Sequence, residues 1–384
     1  MTKKRVIIAA HLHGPGGVET HLLQLSRLLV QHGAEVTVVA RTARSAIPLV
    51  EKHREIPIRL VTTPFSWSGR FPRACMAWAM WVWPQLIRGG FDVLYTLDMS
   101  RLVVRLSSLV KPGGYVLGGR VGEPPAEVQF IDRRSHGLLN GLIVESLIQA
   151  QGYQTHLPLA AIPLLGYYSQ PPRRRAAVRE PLRIAYLGRY DKGKGMHRLL
   201  DIWPQLSVEP ARLDFYGQGT ERESMAQTIR VRGLGDNVQI HGGWTQASEL
   251  SALFEKVDLM VMPSDTEGLP VLLLEAMAHG VPFVASDVGG VRSLAEENQD
   301  VRVVSLENQA LICAINEMAT ALRNGAIRSD RLQDYHRRRY SYEHVSEQWL
   351  EALLEPQSFW GRIPRSELWN RTSLAMNSEF SGTR

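Results

Sequence analysis

The stretch Arg5–Ala40, "RVIIAAHLHGPGGVETHLLQLSRLLVQHGAEVTVVA", decides the fold. Its first part, "RVIIAAH" (Arg5–His11), is a short apolar run and reads as a buried strand. A glycine-rich loop, "GPGG" (Gly14–Gly17), follows. From Val18 the apolar residues recur at helical spacing until Gly33 stops the run, which predicts a helix. "EVTVVA" (Glu35–Ala40) is then the next strand. Strand, helix and strand joined this closely make a βαβ unit, and its two strands must be parallel.

The alternation continues along the chain. "FDVLYTL" (Phe91–Leu97), "YVLGG" (Tyr115–Gly119) and "GLIVES" (Gly141–Ser146) are the later strands of the first half. At "YYSQPPRRRAAVREP" (Tyr167–Pro181) adjacent prolines and a basic run read as a linker. The rhythm then restarts with strand "LRIAYLG" (Leu182–Gly188), helix "KGMHRLLDIWPQL" (Lys194–Leu206) and strand "ARLDFYG" (Ala211–Gly217). "NVQIHG" (Asn237–Gly242), "VDLMVMP" (Val257–Pro263) and "VPFVAS" (Val281–Ser286) are further strands. The expected fold class is therefore α/β, with two doubly wound, Rossmann-like parallel-sheet domains facing a cleft. The expected divisions are residues 1–168, a linker at 169–181, a second domain at 182–340, and a C-terminal helix and tail at 341–384.

Length and composition agree. A chain of 384 residues is too long for one ordinary core and suits two domains. Its two cysteines, Cys75 and Cys313, stand far apart, so neither a disulfide framework nor a cysteine-rich metal site is expected. No apolar run is long enough to span a bilayer, and the N-terminus reads as a first strand rather than a signal peptide. The expected place is the cytoplasm, with peripheral contact at the inner face of a membrane as an extension. The formal net charge of +6 fits an anionic ligand or surface, but the basic residues are scattered and carry no nucleic-acid-binding motif.

Three stretches carry chemistry. "GPGG" is either a turn whose backbone N–H groups face an anion or a loop that needs only conformational freedom at Gly16 and Gly17; its spacing is not the dinucleotide fingerprint. In "LGRYDKGKGM" (Leu187–Met196), Arg189 and Lys194 follow a strand end and flank glycines. A guanidinium with an ammonium can neutralise a diphosphate without a metal, although a solvated basic turn would look the same. In "PSDTEGLPVLLLEAMAHG" (Pro263–Gly280), Glu267 lies in the loop ahead of a helix, where Gly268 and Leu269 present backbone N–H groups. Pro270 suits the first turn of that helix, and Glu275 lies within it, where an apolar setting is costly for a carboxylate without a partner. The turn holding Gly217 and Gly219 reads first as a tight turn.

Taken together, "GGVETHLLQLSRLLVQHGAEVTVV", "YLGRYDKGKGMHRLL" and "MPSDTEGLPVLLLEAMAHGVPFVASDVGGVRSL" resemble, in that order, the blocks of the retaining family 4 glycosyltransferases of the GT-B fold, with their E-x7-E motif. The resemblance runs over roughly residues 5 to 353. It implies transfer of a sugar, with retention, from a nucleotide-sugar donor to a glycan, lipid-linked or small-molecule acceptor, without a resident metal or other cofactor. It implies that Arg189 and Lys194 bind the donor diphosphate, that Glu267 and the Gly268–Leu269 backbone meet the donor sugar, and that Glu275 meets the ribose. Gly16 and Gly17 would let the N-terminal domain close on the diphosphate. The base would lie near "IHGGW" (Ile240–Trp244), beside His241, with Gly217 also on the donor side. No D-x-D stands in the chain, consistent with the implied independence of metal.

One departure matters. Many members carry a histidine after the strand matching "YVLGG"; here the segment continues "GGRVGEPPAE" without one. Asp98, Arg120 and Glu123 are the acceptor-side candidates in its place. Arg120 can bind an anionic acceptor and Glu123 can take a proton, or both are loop residues. The helix-prone segment Arg70–Gly90, with Trp78, Trp81 and Trp83, reads as packing on the first sheet or as lying in a membrane interface. The alternative functions are a nucleotide-sugar-binding partner subunit without transfer and a nucleotide-sugar epimerase of the same fold.

Overall fold

The computed structural model of the chain describes residues 3–12, 16–42, 56, 59–62, 90–97, 114–120, 139–151, 157–166, 178, 180–244 and 246–363. Asp98, Glu123, most of the linker (Val178, Glu180 and Pro181 aside), the tryptophan-rich segment up to Gly89 and the tail from Pro364 lie outside the described residues. Arg120 is described in its backbone only.

The first half holds β1 (Arg5–Leu12), α1 (Gly17–Gln31), β2 (Glu35–Thr42), β3 (Arg59–Thr62), β4 (Val93–Leu97), β5 (Tyr115–Arg120), β6 (Gly141–Val144), α2 (Leu147–Gln151) and β7 (Leu159–Ala161). The second holds β8 (Leu182–Leu187), α3 (Met196–Ile202), β9 (Ala211–Tyr216), α4 (Arg222–Val231), β10 (Val238–His241), α5 (Ala247–Phe254), β11 (Leu259–Met262), α6 (Val271–Ala278), β12 (Phe283–Ser286), β13 (Arg302–Val304), α7 (Asn308–Arg323) and α8 (Ser329–Tyr340). Two further helices, α9 (Tyr342–Leu354) and α10 (Pro356–Arg362), follow.

Two parallel sheets result. One has the order β3-β2-β1-β4-β5-β6-β7 and the other β10-β9-β8-β11-β12-β13. In both, the winding reverses beside the first strand, and at such switch points doubly wound sheets take up ligands at their carboxyl edge. Two compact units divide the chain: residues 1–163 with 345–384, and residues 164–344. The division falls a few residues before the expected linker, because Leu164 to Gly166 count with the second unit.

The second unit shows why the sheet is covered on both faces. Side chains alternate along a strand. Ile184 and Tyr186 of β8 therefore join one core with Leu199, Met225, Leu311 and Ile315, whereas Ala185 and Leu187 join another with Leu250, Leu273, Leu274 and Leu332. In the first unit, α1 buries Leu22, Leu25, Leu28 and Leu29. The C-terminal helices complete that unit: Trp349 Nε1 donates to the Pro163 carbonyl at 2.9 Å, and the Trp360 ring lies where a side chain at Gly141 would stand.

Three histidines are held neutral in these cores. Burial pushes His21 of α1 down to about 3 and His336 of α8 down to about 4, and it also lowers His279 at the end of α6. In the unfolded chain these rings titrate near 6.5, so unfolding takes up protons as pH falls. The stability they contribute is full above about pH 6.5 and is lost as pH falls toward about 4. Denaturant unfolding from pH 7.5 to 4.5 is expected to show a falling midpoint, and His336→Gln is expected to flatten that slope while lowering the midpoint at pH 7.5.

Candidate active site

The carboxyl edge of the second sheet is built by close backbone approach. The loop after β8 carries Gly188, Gly193 and Gly195 at φ +145°, +84° and +80°, a region that favours glycine. A Cβ on Gly195 would fall inside the Pro263 carbonyl, and a Cβ on Gly217 would fall inside the Gly188 carbonyl. Gly289, at φ +54°, passes equally close to the Glu267 carbonyl, and the Gly290 N–H donates to the Gly268 carbonyl at 2.7 Å. The loops after β8, β9, β11 and β12 are thereby packed into one layer, and Gly217 acts as a spacer in it.

This layer brings Lys194 and Glu267 together. The ammonium donates to Glu267 Oε1 at 2.7 Å, with the two side chains 23% and 15% exposed. The residues come from either side of the switch point, after β8 and β11. Arg189 lies on the same loop as Lys194, paired with Asp191 at 3.2 Å and more than half exposed, while the Tyr186 hydroxyl donates to the Arg189 carbonyl at 2.9 Å. A guanidinium and an ammonium so placed can share the charge of a diphosphate, and a carboxylate beside them can accept from sugar hydroxyls.

The helix that follows Glu267 differs slightly from expectation. Pro270 is the N-cap residue at φ −63°, and α6 begins one residue later. Gly280, at φ +67°, closes it as expected of a helix-ending glycine. Gly268 is half-buried at the layer's surface, whereas the Leu269 side chain belongs to the core. Glu275 is 4% exposed, and its Oε1 lies 3.1 Å from where a Cβ on Gly166 would stand. This carboxylate therefore faces the Leu164–Gly166 segment.

His241 ends β10 and is held through its ring and its carbonyl, with a third of its side chain exposed. Its Nε2 lies 2.8 Å from Asp214 Oδ1, and its ring stacks on Tyr216 at 4.5 Å. Its carbonyl accepts from the Tyr190 hydroxyl and from Arg222 Nη1. Asp214 is buried and also takes two bonds from Arg212 at 2.7 Å each. In the first unit, Gly16 is the N-cap of α1 at φ −173° and Gly17 is its first residue. Extended and helical angles suit any residue, so conformational freedom is not what either glycine supplies.

Sequence reasoning missed Asp214, Arg198 and Asp265, all of which hold site elements. Arg198 Nη1 donates to the Pro263 carbonyl at 2.7 Å and Nη2 to Asp265 Oδ1 at 2.8 Å. The available signal was an arginine in the first turn of a helix, where the helix dipole disfavours a cation. Among the described residues, no group of three or more His, Cys, Asp or Glu is placed to hold a metal ion, and no helix is long and apolar enough to cross a membrane.

The glycine layer makes a graded prediction. Gly195→Ala combines left-handed strain, about 1–3 kcal/mol, with a backbone clash. Gly233→Ala, at φ +63° with nothing within 4 Å, carries the strain alone. Denaturant unfolding is expected to show the first variant clearly less stable than the second.

Comparison with known proteins agrees with this architecture. Residues 181–321 match the family model described as glycosyl transferases group 1, and residues 15–110 match the glycosyltransferase family 4 model. A phosphatidyl-myo-inositol mannosyltransferase of Mycobacterium leprae is 26% identical over 341 residues, covering 82% of this chain and 86% of that protein. The structure is similar to Anabaena HepE in complex with UDP-glucose, with a TM-score of 0.70 and 17% identity, covering 91% of this chain and 99% of that one. It is also similar to sucrose-phosphate synthase from Thermosynechococcus elongatus, with a TM-score of 0.70, 17% identity and coverage of 93% and 99%. Two segments of the chain thus match glycosyltransferase models, and its fold is of the GT-B type.

Proposed function

We propose that the protein transfers a sugar, with retention of anomeric configuration, from a nucleoside diphosphate sugar to a hydroxyl of a lipid-linked, glycan or small-molecule acceptor. The observation that carries this reading is the Lys194–Glu267 pair at the switch point of the second sheet, within the segment that matches the group 1 transferase model. The UDP-glucose bound by HepE and the lipid in the name of the mycobacterial relative support the donor and acceptor classes.

In this reading Arg189 and Lys194 stabilise the departing diphosphate, and Glu267 with the Gly268–Leu269 backbone orients the sugar. Glu275 takes the ribose side and His241 the base side. The bond from the anomeric carbon to the diphosphate oxygen breaks while the acceptor oxygen bonds on the same face. The acceptor's proton leaves with the departing phosphate oxygen. The charge is then met by the two cations, an electrostatic catalysis in which no resident metal is needed. Helix ends add on the order of 1 kcal/mol, so Arg189 and Lys194 dominate. The acceptor lies on the first unit's side, where Asp98, Arg120 and Glu123 are the candidates, and a peripheral membrane contact would suit a lipid-linked one.

A thermal-shift screen against UDP-, GDP- and ADP-sugars tests the donor. One nucleotide class is expected to raise the melting temperature, with a gain of about 2.7 kcal/mol at a hundredfold excess over Kd. Lys194→Ala is expected to weaken nucleoside diphosphate binding about ten- to a hundredfold, the worth of a charge-assisted hydrogen bond. Glu267→Ala is expected to abolish transfer while leaving nucleotide binding measurable. Equal, negligible shifts for every nucleotide sugar would overturn the reading. Binding without turnover on any acceptor would instead favour a partner subunit.

A further inference from the structure

Arg198 is the third residue of α3, where the positive end of the helix dipole disfavours a cation. Its side chain is nevertheless only 25% exposed, and both terminal nitrogens are engaged. Nη1 donates to the Pro263 carbonyl and Nη2 to Asp265 Oδ1, while the Asp265 N–H donates to the Gly193 carbonyl at 2.8 Å. These bonds close a ring: from α3 to the loop after β11, across to the loop after β8, and back along the chain to α3. Lys194 follows Gly193 directly, and Glu267 stands two residues after Asp265.

We propose that Arg198 is a positioning residue for the transfer reaction: its guanidinium, bracketed by Asp265 and the Pro263 carbonyl, locks the two loops so that the Lys194 ammonium and Glu267 carboxylate are preorganised for a nucleoside diphosphate sugar. The inference rests on the proposed function and adds the device that holds its charged pair in register. The physical need is plain. A loop with three glycines at positive φ loses much conformational freedom when it is ordered. If that ordering happened on binding, it would be subtracted from affinity; the bracket completes it beforehand. A planar, two-pronged donor can hold a carbonyl and a carboxylate at once, whereas an ammonium is a point charge without that fork. Its bonds run to the two loops that carry Lys194 and Glu267, so Arg198 acts through those residues.

The test uses the full chain with UDP, GDP and ADP as binding probes, and then the matching nucleotide sugar for kinetics. Arg198→Ala is expected to raise the Kd of the favoured nucleoside diphosphate and the KM for its sugar about tenfold and to lower kcat, with little change in melting temperature. Arg198→Lys is expected to recover only part of this. Asp265→Ala is expected to reproduce the loss, and the double variant to be no worse than the worse single one, since both cut the same ring. Asp265→Asn removes the charge at nearly constant side-chain shape, so it remains informative should Arg198→Ala fail to fold. Arg198→Ala or Asp265→Asn that lowers the melting temperature but leaves Kd and KM unchanged overturns the proposal, as do additive losses in the double variant. Tighter nucleotide binding by Asp265→Ala also overturns it, because Arg198 would then be an anion contact that Asp265 restrains. A wild-type chain that binds none of the three diphosphates removes the functional reading itself; a wild-type chain that binds one, with variants that bind equally, removes only the role given to Arg198.

Discussion

The candidate site depends on one constraint: loops from neighbouring strands meet there through backbone, with no side chain between them. Gly195 lies against the Pro263 carbonyl, Gly217 against the Gly188 carbonyl and Gly289 against the Glu267 carbonyl. Each approach is closer than any Cβ allows. The Lys194–Glu267 distance of 2.7 Å is a consequence, since the two residues belong to segments about seventy positions apart that only this layer brings together. Packed backbone is also a rigid foundation, because it has no rotamers to reselect.

Electrostatically, the layer is arranged in ion pairs. Arg189 meets Asp191, Lys194 meets Glu267 and Arg198 meets Asp265. The Arg189–Asp191 pair, open to water, contributes little to stability and can be remade at little cost when an anion arrives. The three differ in exposure. Arg189 is more than half open, whereas Lys194 and Arg198 are largely covered. An open cation suits meeting a ligand's charge, and a covered one suits holding geometry; Lys194 joins two loops through Glu267. Under the proposed function this separates the groups that would face the donor from those that would keep them in place.

Much of the fold was legible because buried parallel strands are near-continuous apolar runs. The strands beginning at Arg5, Glu35, Leu182 and Ala211 stand where the pattern places them. The edge strands β3, β7 and β13 were not read, because they have three or four residues each and alternate poorly. At the site, Arg189, Lys194 and Glu267 were visible as chemistry out of keeping with its setting: cations among glycines, and a carboxylate between an apolar strand and an apolar helix. Asp265 was not, since it is an ordinary loop residue until its partner is known, and Arg198 showed only as a cation in the first turn of a helix. Gly16 had been read as either an anion-facing or a flexible turn, and its extended backbone removes the need for flexibility.

The sequence by itself determined the two parallel α/β units and which loops carry charge, because both follow from local periodicity and from residue type. The tertiary structure alone decided that Lys194 touches Glu267, that Arg198 ties the two loops through Asp265, that Asp214 holds His241, and that Glu275 faces Gly166. These are contacts between elements distant in the chain. They depend on which strands become neighbours in the sheet and on how closely glycine lets the backbones approach, and neither quantity is written in any single stretch of residues.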